Sequence, residues 1–316
     1  MNRSFIQLHI AVLLWGFTGV LGRAISLDAP VLVWWRMLIT AAIIAFFLIY
    51  RKQWVKIDPR DRIQLILIGF LFSIHWVGFY GAVKYANASV ALVCLSTASI
   101  FTSILDPFVN KSRHDPFEFV IGLLALCGVY LIYHSQQFFG LGILFGIIAA
   151  ILSSVFTVLN KRISHKYPSR TIVFYEMAFG WIIISLLMPI QFILFPHTVF
   201  MPRTNGIWTQ NDWIWLIILS LCCTVWAQSL AISALKKLSA FTVTLSVNLE
   251  PLYGMALAFF FYHENKELHT GFFMGFSLVI LSVVLQTVRL IRQSKKQVVT
   301  AEALSPGLVE EKGGLD

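Results

Sequence analysis

The chain has 316 residues, 58% of them hydrophobic and only 12% charged, with a formal net charge of +9. That balance lies outside the range of soluble globular proteins and excludes an ordinary two-domain soluble chain. The excess of cations does not imply a nucleic-acid partner, because they collect in the short stretches between apolar runs, where membrane topology places them.

A bilayer core about 30 Å thick takes roughly 20 apolar residues per helix. Ten such stretches follow one another, at about residues 5–24, 31–50, 63–83, 88–108, 117–134, 141–162, 171–194, 213–234, 239–261 and 270–290. The first lacks a small-residue cleavage site and leads directly into further spans, so it reads as a helix and not a removable signal. It carries Trp15 and, at spacings of three, Gly16, Gly19 and Gly22, which suit close helix packing. The second span carries Trp34, Trp35 and Arg36; the third His75, Trp76, Phe79 and Tyr80; the fourth Ser96, Thr97 and Ser99, with Asp106-Pro107 near its end as a cap or anchor. The joint Ala86-Asn87 is so short that spans three and four must be antiparallel neighbours. Gly140, Gly142 and Gly146 open the sixth span, and Tyr175-Glu176 lie early in the seventh.

The longest connection, about 195–212, holds Pro196, Pro202, Asn205 and Gly206 with Trp208 and Trp213 nearby, and suits an external loop at the interface, either passive or a gate. The eighth span holds Trp226 and Gln228, the ninth Asn248, Glu250, Pro251 and Tyr253 with Glu264 beyond it as an anchor, and the tenth Gly271 and Gly275. The four cysteines, Cys94, Cys127, Cys222 and Cys223, fall inside spans, and neither a disulfide framework nor a metal spacing is present, so no metal or cofactor is expected.

The chain repeats itself. Phe17-Thr18, Arg23 and Val33 to Met37 align with Phe156-Thr157, Arg162 and Val173 to Met177, which gives residues 1–136 as a first repeat, 137–292 as a second, and 293–316 as a polar, disordered cytoplasmic tail. Five crossings per repeat is an odd number, so the second half enters the membrane in the opposite sense and the repeats are inverted. Of the 24 Lys and Arg, 19 fall on the side of the termini and 4 on the other, with Arg36 left inside a span. The expectation is an all-α polytopic protein of a bacterial-type inner membrane, both termini cytoplasmic. The sequence fixes no oligomeric state and is compatible with a monomer.

Polar groups at membrane depth cost roughly 2.5–3.5 kcal/mol when ionised, so each needs a reason. Glu250 lies at the centre of the ninth span beside Asn248 and Pro251; the proline removes an amide and frees backbone for a substrate or ion, which makes Glu250 a proton-coupling candidate unless its carboxyl only bonds a neighbouring helix. Arg36 binds a substrate carboxylate or holds backbone carbonyls, and its counterpart Glu176 takes a proton or ammonium or reaches the cytoplasmic interface. His75, to which Gln228 corresponds in the second repeat, is part of a proton relay with Glu250 or bonds across a helix seam. Trp15, Tyr80 and Tyr253 are candidate aromatic contacts to an organic substrate, and Ser96 and Thr97 either line a cavity or bond their own helix.

Asn248 to Gly254 followed by His263-Glu264 and the Gly275 helix, together with Trp15-Gly16, Arg36 and Tyr85 to Ser89 in the first half, resembles the EamA-type transporters of the drug/metabolite transporter superfamily across residues 8–290. The resemblance implies ten helices in two inverted five-helix repeats and export of small metabolites, often amino acids, driven by a proton or other ion gradient. Where the family has a proline in the fourth span and Gly-Glu at its end, this chain has Ser99 and Ser112-Arg113. An unbroken fourth span would leave the site asymmetric, with the Pro251 region supplying most of its irregular backbone. The expected partners are the lipid bilayer, a small-molecule substrate and a coupling proton, with a carrier of lipid or lipid-linked substrate as the alternative. No His-Glu-x-x-His, Gly-x-Ser-x-Gly or paired-aspartate pattern lies in a span, so an enzyme is not expected.

Overall fold

The computed structural model describes residues 2–111, 116–135, 139–204, 211–247, 249–266 and 268–303. Asn248, Ser112-Arg113, the Asn205 to Trp208 part of the long loop, and the tail from 304 onward lie outside them. Its helices are α1 (Asn2–Ala24), α2 (Ala29–Tyr50), α3 (Pro59–Tyr85), α4 (Ala88–Leu95), α5 (Ala98–Asn110), α6 (Pro116–Ser135), α7 (Gly140–Ser164), α8 (Ser169–Leu194), α9 (Asp212–Ser220), α10 (Ala227–Leu235), α11 (Ala240–Val247), α12 (Glu250–Tyr262) and α13 (Thr270–Ala303).

These thirteen helices make ten crossings: the fourth and ninth are broken in the middle, and the eighth is divided into α9 and α10 by a π-helical turn. Among the described residues eight spans are individually long and apolar enough to cross a membrane; the ninth is α11 with α12, and the tenth is α13. The outer surface is correspondingly apolar, with Leu186, Ile193, Phe108 and Phe260 all exposed. Helix starts are encoded locally. Pro30 and Pro59 sit in the first turns of α2 and α3, where no amide partner is needed, and the Asn87 side chain accepts the Val90 amide at 2.8 Å to cap α4.

The fourth span is interrupted, contrary to an unbroken helix. Ser96 and Thr97 turn with i→i−3 bonds to Val93 and Cys94, at 3.1 and 3.2 Å. The ninth tightens in the same way, Leu249 donating to Ser246 at 3.1 Å. The half-helices that follow, α5 and α12, both end in a left-handed residue, Lys111 and His263, each at φ 54°. The break is therefore shared by both repeats. In the first repeat it forms without proline, because the Ser96, Thr97 and Ser99 hydroxyls donate to the Val93, Cys94 and Ser96 carbonyls and stabilise the tighter turn. Pro251 occupies the first turn of α12.

Lipid offers no hydrophobic drive between helices, so close backbone approach has to hold the bundle. The fifth and tenth spans, α6 and α13, run along each other, and a methyl group added to Gly128 would fall 2.5 Å from the Gly275 carbonyl oxygen. At Gly254 on α12 it would fall 2.9 Å from the Gly16 carbonyl oxygen of α1. α13 continues as a helix to Ala303, eleven residues past the 292 boundary at which the polar tail was expected to begin.

The end of the bundle that carries Arg23 and Lys84 is tied shut. Glu264, fully buried, pairs with Arg23 and accepts from the Ser89 amide and hydroxyl at 3.0 and 2.6 Å, which anchors the turn after α12 to the start of α4. Asp212 accepts from the Ser26 amide and hydroxyl and from the Arg203 amide, and Trp35 donates to the Phe200 carbonyl at 2.8 Å, so the described part of the long loop is pinned over the α1–α2 turn. At the opposite end, Lys161 donates to the Leu235 carbonyl at 2.6 Å, and Asp61 accepts from Lys166 and Tyr167 at 2.6 and 2.8 Å.

Candidate functional site

A cavity of about 850 Å³, its mouth included, opens in the middle of the bundle between spans of both repeats. Its wall runs from Arg36 and Phe79 to Asn160 and Leu235, the last two standing next to Lys161 and Lys236. It therefore extends toward the Lys- and Arg-rich end and away from the Arg23–Glu264 closure. Both broken spans contribute their midpoints, Leu95 and Ala98 from one and Val247 and Glu250 from the other. Half-helix starts at mid-membrane are where backbone dipoles and free amides become available to a ligand.

Arg36 is the most constrained group in the wall. It is 1% exposed, and its guanidinium donates through Nε to the Thr224 hydroxyl at 2.9 Å and through Nη1 to the Tyr80 hydroxyl at 2.6 Å. The ring of Trp76 lies against its face, 3.7 Å from guanidinium carbon to ring centroid. Its Nη2 reaches the Cys223 carbonyl at 3.4 Å, and Trp15 Nε1 donates to that same carbonyl at 3.0 Å. That carbonyl belongs to the π-helical turn Leu221–Trp226 between α9 and α10. Every one of these partners is neutral.

Glu250 stands across the cavity as the first residue of α12, 5% exposed, and among the described residues its carboxylate has no hydrogen-bond or ion-pair partner. The position favours a carboxylate through the positive end of the α12 dipole, although the Leu252 and Tyr253 amides themselves donate to the Leu249 carbonyl. His75, also in the wall, donates from Nδ1 to the Ala149 carbonyl of α7 at 2.7 Å and not to Glu250. Its geometry is that of a seam bond.

Of the residues the sequence singles out, Trp15, Arg36, His75, Gln228 and Glu250 meet in this wall. Tyr80 does not; it is fully buried behind Arg36 and fixes it. Ser96 and Thr97 turn their hydroxyls to their own backbone, leaving Leu95 and Ala98 in the wall. Tyr253 lies away from the cavity, 38% exposed, with its Cβ against Gly16. Glu176 is fully buried behind the wall. The sequence reading missed Trp76, Thr224 and Asn160. Trp76 stands in the sequence as one aromatic among several in the third span, and Lys161-Arg162 obscures Asn160 beside it, although an amide inside a span is the signal.

The model of the EamA-like transporter family matches residues 3–134 and again 140–288. An uncharacterized transporter of Archaeoglobus fulgidus is 23% identical over 297 residues, covering 91% of this chain and 98% of its own. The uncharacterized transporter YxxF of Bacillus subtilis is 23% identical over 309 residues, covering 95% of this chain and 94% of its own. A solved crystal structure covers 93% of this chain and 99% of its own with a TM-score of 0.66 at 16% identity, a likeness of fold.

Proposed function

Because the chain belongs to the EamA-like transporter family, we propose that it is a secondary transporter that exports a small polar metabolite such as an amino acid, driven by a proton gradient. The observation that carries this reading is the pair of opposite charges in the cavity wall: Arg36, held by neutral partners, and Glu250, unpaired among the described residues. A zwitterion complements both. Its carboxylate meets the remaining guanidinium donors, its ammonium meets Glu250, and Trp15, Phe72 and Phe79 enclose its apolar part.

Alternating access follows from the same arrangement. The cavity reaches the end rich in Lys and Arg, which the positive-inside rule makes cytoplasmic, so the conformation described is the inward-facing one. Breaking the Arg23–Glu264 closure and rocking the repeats exposes the cavity to the other side. Glu250 then carries ammonium in one direction and a proton in the other, so that substrate and proton compete for a single carboxylate.

Counterflow in proteoliposomes tests the reading. Vesicles loaded with pooled amino acids are expected to take up at least one labelled amino acid saturably, and faster under an imposed pH gradient. Absence of exchange by monodisperse, folded protein would overturn the substrate class.

A further inference from the structure

Behind the cavity wall lies a second polar cluster that the substrate site does not use. Glu176 on α8 is fully buried, and neither of its carboxylate oxygens has a hydrogen-bond partner. The side-chain amides of Asn160 on α7 and Gln228 on α10 flank it. Asn160 is 2% exposed, and its Oδ1 also lacks a donor. Asn160 and Gln228 belong to the cavity wall and Glu176 does not, so the carboxyl sits one layer behind, with the two amides between it and the cavity.

The two carboxylate oxygens and Asn160 Oδ1 lack a donor in hydrogen-bond geometry, and among the described residues the donors that approach the carboxylate are the two neutral amides of Asn160 and Gln228. An ionised carboxylate enclosed with only neutral neighbours costs several kcal/mol, and among the described residues no cation approaches to offset it. Arg36 on α2 is committed to Tyr80 and Thr224, His75 on α3 to Ala149, and Asp61, near the start of α3, to Lys166 and Tyr167. Lys161 on α7 is committed to the Leu235 carbonyl, and Arg162 and Arg170 are exposed. A hard metal ion takes about six oxygens. The three side chains supply at most four, and α7 and α8 run unbroken through residues 160 and 176, adding no free carbonyls.

We propose that Glu176, with the amides of Asn160 and Gln228, is a second proton-binding site, separate from Glu250, which holds its proton while the cavity is open to the Lys- and Arg-rich end. One proton on Glu176 donated to Asn160 Oδ1 removes the buried charge and satisfies an oxygen of each partner. The wall amides are then the route by which it exchanges with cavity water. This site stands or falls without reference to any transported substrate.

Infrared spectroscopy of the purified full chain in lipid nanodiscs, without substrate, tests it. At neutral pH the difference spectrum between wild type and Glu176→Gln is expected to contain the carbonyl stretch of a protonated carboxylic acid. Glu250→Gln should retain that band, and sodium chloride in place of choline chloride should leave it unmoved. Absence of the band from wild type, its survival in Glu176→Gln, or its removal by sodium would overturn the proposal. Two further measurements do not depend on the folding of Glu176→Gln. Alkaline titration of wild type should remove the band, and Asn160→Leu, which deletes the acceptor, should move it to higher frequency; a band unmoved by both would overturn the site.

Discussion

Arg36 and Glu250 face the same cavity, each at least nine-tenths buried, and do not pair with each other. Opposite charges in a low-dielectric setting attract strongly, so keeping them apart takes a scaffold. For Arg36 the scaffold consists of Tyr80, Thr224 and the ring of Trp76.

Replacing that cation by lysine should not rescue it. A lysine lacks the planar fork that reaches Tyr80 and Thr224 together while stacking on Trp76. With charge-assisted hydrogen bonds worth about 1.5–3 kcal/mol each, Arg36→Ala and Arg36→Lys should both lower counterflow by at least about tenfold. Initial exchange rates at equal protein incorporation check this; lysine restoring more than half of the rate would contradict it.

Glu250→Gln should weaken exchange and abolish the drive. The amide keeps the shape of the side chain but neither carries a proton nor pairs with an ammonium. Flux imposed by a pH gradient should fall to the rate seen without one, while the protein remains monodisperse. Unchanged gradient-driven uptake would remove Glu250 from the coupling step.

Two contacts should differ sharply in stability. Gly128→Val places a side chain against the backbone of α13 at Gly275, where overpacking costs typically 1–3 kcal/mol and shows as a lower thermal unfolding temperature in detergent. Lys166→Ala removes the Asp61 ion pair, but Lys166 is 53% exposed there, and such pairs contribute about 0–1 kcal/mol. Its unfolding temperature should stay close to wild type.

Glu264→Ala should weaken the closed end. The variant leaves Arg23 and the first amides of α4 without their shared acceptor, and breaking a buried pair costs about 3–5 kcal/mol, less here because Arg23 is partly exposed. A cysteine introduced at Ser89, buried in the closed end, should react with a membrane-impermeant thiol reagent added outside faster in the Glu264→Ala background than alone. Equal rates would mean that the pair does not hold this end shut.

Reading the chain alone reaches the ten crossings and the wall residues Trp15, Arg36, His75, Gln228 and Glu250, because polar and aromatic groups in apolar spans stand out when they recur in matching places. It does not reach what depends on backbone detail. The Ser96-Thr97 break has neither proline nor glycine to mark it; only hydroxyls bonding three residues back make it affordable. Tyr253 turns outward because Gly16 brings α1 against its Cβ, a fact held in the partner helix. The helical continuation to Ala303 is invisible to any search for apolar runs, since Ser294, Lys295 and Lys296 carry the signature of a solvated tail.

At Cys223 a single carbonyl oxygen accepts from the indole of α1 and is reached by the guanidinium of α2. Loss of either donor would remove one contact between the repeats, while Arg36 would keep its bond to Thr224. The π-helical turn thus ties two helices of the first repeat to the second through one oxygen.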